Sequence, residues 1–275
     1  MTAAMAIRLP DGRLHLQHGP IDLICEAWGP RELVDLGYRR AWQRFEGLLQ
    51  ELVAELPALR CENQALFGPI AQTMGRAVAP FRPAFITPMA AVAGAVAEAI
   101  LAALAWPGIT RAYVNNGGDI ALYLEPGQQL VCAIAGAESQ ITVQYDTCVR
   151  GIATSGWRGR SWSLGIADSV TVLAKSAAMA DAAATMIANA IDLPTHLAIS
   201  RRPANQLQAD SDLGARLVTI GVAPLTKSEI LTALARGAAA ANVYRAAGLI
   251  ESAALFLQAE SQIIGPIFVK ETAFA

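Results

Sequence analysis

The period of the hydrophobic pattern changes along the chain, and each period predicts a different kind of element. Alternation of apolar and polar residues, or a short β-branched run, predicts a strand; an apolar residue every three or four positions predicts a helix. The strand pattern occurs at residues 6–9, 13–18, 21–28, 113–114, 120–124, 130–135, 141–145, 168–173, 217–222 and 253–259. The helical pattern occurs at residues 31–56, 70–78, 89–104, 175–191 and 227–247. This irregular order of strands and helices predicts an α+β fold rather than a doubly wound sheet.

Turn and capping residues set the limits of these elements. Pro57 is expected to end the first helix, and Thr226 or Ser228 to cap the last one. Thr87 suits the N-cap of the third helix, where its hydroxyl would accept a hydrogen bond from a first-turn amide. The free amides and the dipole at that helix start also make a ready anion site. Turns or loops are expected at residues 11–12, 57–86 (apart from the short helix at 70–78), 151–156, 157–165 and 201–203. A further turn at 125–127 is expected to join a pair of strands.

Composition narrows the class of protein. The chain of 275 residues is 54% hydrophobic and 16% charged, which indicates a compact globular protein. Lys and Arg total 21 against 23 acidic residues and form no basic run, so a nucleic acid partner is not expected. The cysteines are scattered without a zinc spacing or a disulfide framework. With no signal-like apolar segment in residues 1–10, a cytoplasmic protein is expected.

One apolar segment, residues 84–106, invites comparison with a membrane span. It contains Pro88 near its start and Glu98 in its middle. A carboxylate at the bilayer centre costs about 2.5–3.5 kcal/mol, and alanine offsets little of that cost. We therefore expect a helix buried inside a soluble protein and no membrane association.

The stretch from Val114 to Ile120 is the centre of the functional interpretation. Two asparagines, two glycines and one aspartate lie between apolar, β-rich flanks, which predicts a strand, a tight turn and a second strand. Glycine allows close approach of a ligand, and Asp119 adds a carboxylate at the turn. An ordinary hairpin without a ligand explains the same residues, so both readings stay open.

A second candidate lies in the helix at residues 175–191. Asp181 and Thr185 are separated by one helical turn, so their oxygens project from the same face. A carboxylate and a hydroxyl together suit a hard cation such as Mg²⁺. The alternative is a surface acid and a threonine that hydrogen-bonds its own helix backbone.

Several other groups could carry chemistry, and each has a plainer explanation. Cys148 could be a nucleophile or a small buried thiol, and the second is favoured. Arg158 and Arg160 could bind phosphate or be solvated loop charges. His15 and His18 fall on opposite faces of a strand, which argues against a metal pair.

Three motifs of the middle of the chain occur in a recognisable order: residues 116–120, 151–156 and 180–185, with the apolar stretch 87–94 ahead of them. In this order they resemble the FAD:protein FMN transferase family, also called ApbE-like, and are most similar to a cytoplasmic, uncharacterised branch of it. The resemblance covers roughly residues 70–190. It implies an ApbE-like α+β fold, with antiparallel sheets packed against helices rich in small residues. One domain over residues 1–275 is expected, with two interleaved subdomains as the alternative.

The resemblance also implies a site and its ligands. It implies a pocket for FAD, FMN or a related nucleotide, with Mg²⁺ on the diphosphate and Asp181 and Thr185 as metal ligands. Asp119 is the best candidate for a catalytic residue that orients the substrate. The residues implied to line the pocket are Thr87, Asn115, Asn116, Gly117, Gly118, Asp119, Thr154, Ser155 and Gly156. The small-residue helices leave a homo-oligomer open as well.

The chain departs from the transferases in one segment that matters for function. Transferases of this family carry a histidine between the second and third motifs, whereas residues 157–169 contain none. Three functions therefore remain: a magnesium-dependent enzyme acting on a flavin-like or other nucleotide diphosphate, a non-enzymatic binder of a flavin or pterin, and a structural protein that keeps only the fold.

Overall fold

The computed structural model describes residues 3–133 and 140–266 and the backbone of residues 269–270. The strands are β1 (Met5–Arg8), β2 (Leu14–His18), β3 (Ile21–Trp28), β4 (Arg111–Asn116), β5 (Asp119–Leu124), β6 (Gln129–Ala133), β7 (Gln140–Gln144), β8 (Gly151–Ser155), β9 (Ser169–Ala174), β10 (Ile199–Pro203), β11 (Leu217–Val222), β12 (Ser252–Leu257), β13 (Glu260–Ile264) and β14 (Val269–Lys270). The helices are α1 (Arg31–Glu46), α2 (Leu48–Ala54), α3 (Leu56–Leu59), α4 (Pro69–Val78), α5 (Val92–Leu104), α6 (Ala177–Ala190), α7 (Ala204–Leu207) and α8 (Lys227–Ala246), with 3₁₀ turns at Ala79–Phe81 and Pro88–Ala91.

The main sheet contains nine of the described strands, in the order β1-β2-β3-β4-β5-β8-β9-β12-β13. All neighbouring strands in it are antiparallel. Strand β2 shows a strict alternation of buried and half-buried residues, which is the burial expected of a strand with one face on the core. Two smaller sheets, β14-β7-β6 and β10-β11, complete the α+β architecture predicted from the sequence.

The hairpin predicted around Gly117 is confirmed and lies in the middle of the main sheet. Asn116 at the end of β4 pairs with Asp119 at the start of β5. Gly117 and Gly118 form the two-residue turn with φ angles of 64° and 114°. Because residues with side chains rarely adopt such angles, the Gly-Gly pair is what allows so short a turn.

Helices α5 and α6 pack against one face of the main sheet at very short backbone separation. A Cβ atom added to Gly94 of α5 would lie 2.3 Å from the carbonyl oxygen of Ala177 in α6. A Cβ added to Gly151 of β8 would lie 2.1 Å from the backbone of Ser176. The predicted packing of sheets against helices rich in small residues is therefore confirmed, and these glycines explain it.

The opposite face of the sheet carries a smaller apolar cluster. Leu122, Ile152 and Leu173 of the main sheet are buried in it. From the small sheet, Leu130 of β6 and Ile141 of β7 belong to the same cluster. Helices and a small sheet thus cover the two faces around the central hairpin.

Two predicted elements have different limits or partners. The helix expected over residues 31–56 is divided at Gly47 into α1 and α2, and Pro57 lies inside α3 rather than at the end of one helix. The Gly47 amide bonds to the carbonyl of Phe45, which interrupts the helical hydrogen-bond ladder.

The strand after the turn at residues 125–127 does not pair with β5, contrary to the pairing that the sequence predicts. Strand β6 pairs with β7, and β5 pairs with β8; residues 134–135 of the predicted strand lie outside the described residues.

Two segments predicted as loops are strands. Residues 151–155 form β8, because Gly151 lets the chain lie directly against the start of α6. Arg201–Pro203 ends β10, where Pro203 pairs with Leu217 in a two-stranded ribbon that tolerates a residue without an amide hydrogen. The other predicted strands and helices occur near their expected positions, including α4, α6, α8, β9, β11 and β12, whereas α7, β13 and β14 were not predicted.

Helix α8 begins with the predicted Thr226 cap, completed as a capping box by Glu229. The Thr226 hydroxyl accepts from the Glu229 amide, and the Glu229 carboxylate accepts from the Thr226 amide at 2.7 Å. None of the described helices combines the length and the apolar character needed to cross a bilayer.

Candidate functional site

The sequence motifs meet where the start of α5 approaches the central hairpin and α6. Asp181 of α6 accepts a hydrogen bond from the Gly94 amide in the first turn of α5, with Oδ2 at 3.0 Å from the nitrogen. The Asn116 side chain of β4 donates to the Ala93 carbonyl at 3.1 Å. The anion site predicted at the start of this helix is thus occupied by the protein's own carboxylate.

Asp119 approaches the same place from the first residue of β5. Its Oδ1 accepts a hydrogen bond from the Thr154 amide of β8 at 3.1 Å. The Thr154 hydroxyl forms a 2.9 Å hydrogen bond with the hydroxyl of Thr171 on the neighbouring strand β9. Three strands and two helices therefore hold the Asp119–Asp181 pair, which is the centre of the candidate site.

Burial disfavours the ionisation of both carboxylates, and the charge of Asp119 further disfavours that of Asp181. Burial raises the pKa of Asp119 to about 7, against the opposing effects of the Thr154 amide and the Arg160 guanidinium. Burial and then the neighbouring charge of Asp119 raise the pKa of Asp181 well above its usual range. Because like charges in a low-dielectric place repel strongly, a shared proton or a bound cation would stabilise the pair.

Replacing Asp119 by asparagine should stabilise the metal-free protein. A raised folded-state pKa gives stability that is lost as pH rises from the unfolded value of 3.8 through about 7. In EDTA at pH 8 the Asp119→Asn variant should unfold a few degrees higher than the wild type, since about 1 kcal/mol moves Tm by roughly 2–4 °C in a protein of similar size. The gain should shrink at pH 5. A variant less stable than the wild type at pH 8 contradicts a repulsive pair.

The donor set fits a hard cation. Mg²⁺ binds oxygen ligands, and commonly takes one or two carboxylates plus waters and phosphate oxygens. Thr185 follows Asp181 by one turn of α6 and adds a hydroxyl on the same helix face. Within the described ranges, no group of three or more His, Cys, Asp or Glu side chains is assembled for a metal. A cation here would therefore need further oxygens from its ligand or from water.

The remaining predicted pocket residues lie around the pair in different ways. The Asn115 side chain accepts from the Gly118 amide at 2.8 Å and so closes the hairpin turn. Ser155 ends β8, next to Thr154. A Cβ on Gly156 would lie 2.3 Å from the carbonyl oxygen of Asp168, so close approach at this glycine is made by the protein chain itself. That these residues bind a ligand remains a prediction.

Thr87 has a different role from the predicted helix cap. Its side chain forms no capping hydrogen bond, because a 3₁₀ turn intervenes before α5 starts at Val92. The hydroxyl instead donates to the carboxylate of Asp212, 125 residues further along the chain. Sequence reasoning missed Asp212, since no local pattern connects it with Thr87.

Cys148 and the three histidines are not part of the candidate site. Cys148 is exposed, not buried as predicted, and a hydrogen bond with Glu251 raises its pKa, which disfavours a nucleophilic thiolate. The three histidines lie away from the pair: His15 bonds Asp22, His196 bonds Glu229, and His18 is buried with its ring near Phe45.

The family follows from comparison with known proteins. Residues 6–263 match the family model described as "AbpE bacteria", and the chain belongs to this family. The resemblance to the ApbE-like superfamily is thereby confirmed.

Among curated relatives, a UPF0280 protein of Methanococcoides burtonii is 36% identical over 125 residues, which cover 43% of this chain and 52% of the relative. A UPF0280 protein of Methanocaldococcus jannaschii is 40% identical over 114 residues, covering 38% and 45%. The chain spans about half the length of these relatives.

Among solved structures, the chain is similar to the flavin transferase ApbE from Vibrio cholerae, with 13% identity, a TM-score of 0.35, and coverage of 95% of this chain and 97% of that one. The apo form of the flavinyl transferase ApbE from Pseudomonas stutzeri matches with 18% identity, a TM-score of 0.29, and coverage of 62% and 65%. Family membership rests on the family model, not on these distant structural matches.

Proposed function

We propose that this chain binds a flavin nucleotide, or a related nucleotide diphosphate, together with Mg²⁺ at the Asp119–Asp181 pair. The observation that carries the proposal is the pair itself. Two carboxylates from β5 and α6 are held by the amides of Thr154 and Gly94, close enough for one charge to raise the pKa of the other. A divalent cation would neutralise the negative charge of such a pair.

The choice of a flavin nucleotide as the ligand is supported by the family and by the motif order, which resembles that of the FMN transferases. Asp181 and Thr185 are the residues that would hold the metal, with the Asp119 carboxylate beside it. A bound Mg²⁺ would supply charge neutralisation and orientation of the diphosphate. The space beside Gly118 is open, because an added Cβ there would meet no atom within 4 Å. The hairpin turn thus offers bare backbone for a ligand to approach.

Asp119 is the residue we propose to act on the substrate if the protein is an enzyme. Burial raises the pKa of Asp119, which makes its carboxylate a stronger proton acceptor for an acceptor hydroxyl. Attack of that hydroxyl on one phosphorus of the FAD diphosphate would break the P–O–P bond, join one half of FAD to the acceptor and release the other half, AMP or FMN. Attack by water would release both halves.

A second candidate function is binding without turnover, for delivery or sensing of a flavin or pterin cofactor. Residues 157–169 contain no histidine, and all three histidines of the chain contact other parts of the fold. This observation favours a binder over a transferase of the usual kind. A structural role that keeps only the fold is the third possibility.

Titration of FAD by calorimetry tests the proposal. With Mg²⁺ the wild type should bind FAD, and chelation by EDTA should weaken binding by at least about tenfold, or roughly 1.4 kcal/mol. Equal FAD binding in both buffers would exclude a metal-dependent site, and no binding would exclude FAD as the ligand. Chromatography of the same mixtures with a candidate protein acceptor then separates the functions: release of AMP or FMN identifies an enzyme, and intact FAD identifies a binder.

The cellular setting of this function also stays a proposal. We place it in the cytoplasm on the composition of the chain and its scattered cysteines, and we treat the described chain as one domain. Homo-oligomer formation is a further possibility that the tight small-residue packing of α5 and α6 leaves open.

A further inference from the structure

The loop at residues 157–165 presents an exposed tip on an anchored base. At one end, the Trp157 amide bonds the carbonyl of Ala167 at 2.9 Å, and its indole bonds Asp168 at 3.1 Å. At the other end, the Ser163 carbonyl accepts from the Thr219 amide of β11 at 2.9 Å. The tip is exposed at residues 158–162. Anchors on both sides restrict where its side chains can reach.

The two arginines of this tip have different surroundings. Arg158 forms an ion pair with Asp168 at 2.7 Å, and its guanidinium lies 4.9 Å from the centroid of the Trp157 ring. Arg160 instead lies against the hairpin turn: a Cβ on Gly117 would be 2.1 Å from its Nη2. Within the part of the chain that the structure describes, Arg160 has no carboxylate ion-pair partner comparable to the one that Arg158 has.

Arg160 also lies close to the carboxylate pair. Its guanidinium lies against Gly117, in the two-residue turn that leads directly into Asp119, the first residue of β5. Arg160 is thus near the carboxylate pair, yet exposed and available to a ligand from solvent. Gly117 has a second function besides its backbone angle, since any side chain there would displace the guanidinium.

We propose that Arg160 binds phosphate oxygens of the ligand held at the Asp119–Asp181 pair, and that it selects phosphorylated ligands over their unphosphorylated forms. This inference rests on the proposed function. A guanidinium offers a planar set of donors that matches phosphate oxygens in two parallel hydrogen bonds, which an ammonium group does not. Arg158 does not share the role, because Asp168 already engages it.

The test compares Arg160→Gln with Arg158→Gln, two variants with the same charge change on the same loop. The probes are FAD, riboflavin and inorganic pyrophosphate, each with Mg²⁺, measured by calorimetry. Arg160→Gln should weaken FAD and pyrophosphate binding by about 10- to 100-fold, the range for a hydrogen bond to a charged group. Riboflavin binding should not change. Arg158→Gln should leave all three affinities near those of the wild type.

Arg160→Lys serves as the second variant. It keeps the charge but removes the planar set of donors, so its FAD affinity should fall between those of the wild type and Arg160→Gln. The unfolding temperature of each variant without ligand checks that the fold is retained.

The outcomes separate this inference from the proposed function. If the wild type binds FAD and Arg160→Gln binds it equally well, the role of Arg160 is wrong and the flavin site stands. If the wild type binds pyrophosphate but not FAD, and Arg160→Gln loses pyrophosphate, the phosphate role stands and the flavin function fails. If Arg160→Gln weakens the binding of riboflavin and of FAD equally, Arg160 has a structural role and the inference is overturned. A wild type that binds none of the probes overturns both.

Discussion

Gly151→Ala should destabilise the protein by about 3 kcal/mol or more and reduce the yield of folded protein. The added Cβ would lie 2.1–2.2 Å from backbone atoms of Ser176 and Ala177. Because these are main-chain atoms at the start of α6, no side-chain rotation can relieve the contact. Strand β8 or helix α6 must move, and Thr154 and Asp181 would move with them. Urea unfolding followed by circular dichroism measures the effect.

Gly47→Ala is the matched control for this substitution. Gly47 has a φ of −98°, which other residues adopt readily, and an added Cβ would meet no atom within 4 Å. The free energy of unfolding should therefore change by no more than about 1 kcal/mol, and in the stabilising direction if it changes. If Gly151→Ala proves as stable as Gly47→Ala, the close packing of β8 on α6 is wrong.

Asp181→Asn should remove the Mg²⁺ dependence of FAD binding. The amide oxygen of asparagine can still accept from Gly94, as Asp181 does at 3.0 Å, so the fold should be retained. The variant lacks the anionic oxygen that a hard cation prefers. At a ligand concentration of about 100 times Kd, the wild type should gain roughly 2.7 kcal/mol from FAD with Mg²⁺, and the variant should lose most of that gain.

Asp11→Asn removes one carboxylate elsewhere and controls for net charge. Asp11 is exposed in the turn between β1 and β2 near one edge of the main sheet, where it pairs with Arg13. It should respond to FAD and Mg²⁺ as the wild type does. Unchanged metal dependence in Asp181→Asn, with the fold intact, would show that Asp181 does not bind the metal.

The central hairpin could be predicted from sequence because its causes are local. Gly117 and Gly118 adopt positive φ angles that few other residues tolerate, and the flanking residues favour strands. The start of α8 was predictable for the same reason, since its cap lies within four residues, Thr226 to Glu229. Local chemistry of this kind is readable without a structure.

Contacts between distant segments could not be predicted in the same way. Gly94 occurs in an apolar, alanine-rich run, and nothing near it in sequence shows that its amide binds Asp181, 87 residues away. The i, i+4 spacing of Asp181 and Thr185 gave a shared helix face but not the approach of Asp119, which depends on how β5 and α6 pack. The Thr87–Asp212 hydrogen bond could not be predicted either, because it also joins segments that are far apart in sequence.

The loop prediction at residues 151–156 failed for a related physical reason. Glycines at both ends are typical of a loop, yet residues 151–155 form a strand, and Gly151 and Gly156 lie against the protein's own backbone. A bare Cα permits close approach, and the sequence does not show whether a ligand or another chain segment makes that approach.

Diffraction from crystals soaked with Mn²⁺ and FAD most directly tests whether the Asp119–Asp181 pair is a metal–nucleotide site. Manganese replaces magnesium at oxygen ligands and gives an anomalous signal that locates it. The predicted result is one strong peak at about 2.0–2.3 Å from a carboxylate oxygen of Asp181, beside Asp119, with diphosphate density next to it. A well-diffracting crystal with no peak at the pair, or with manganese only elsewhere, would contradict the assignment.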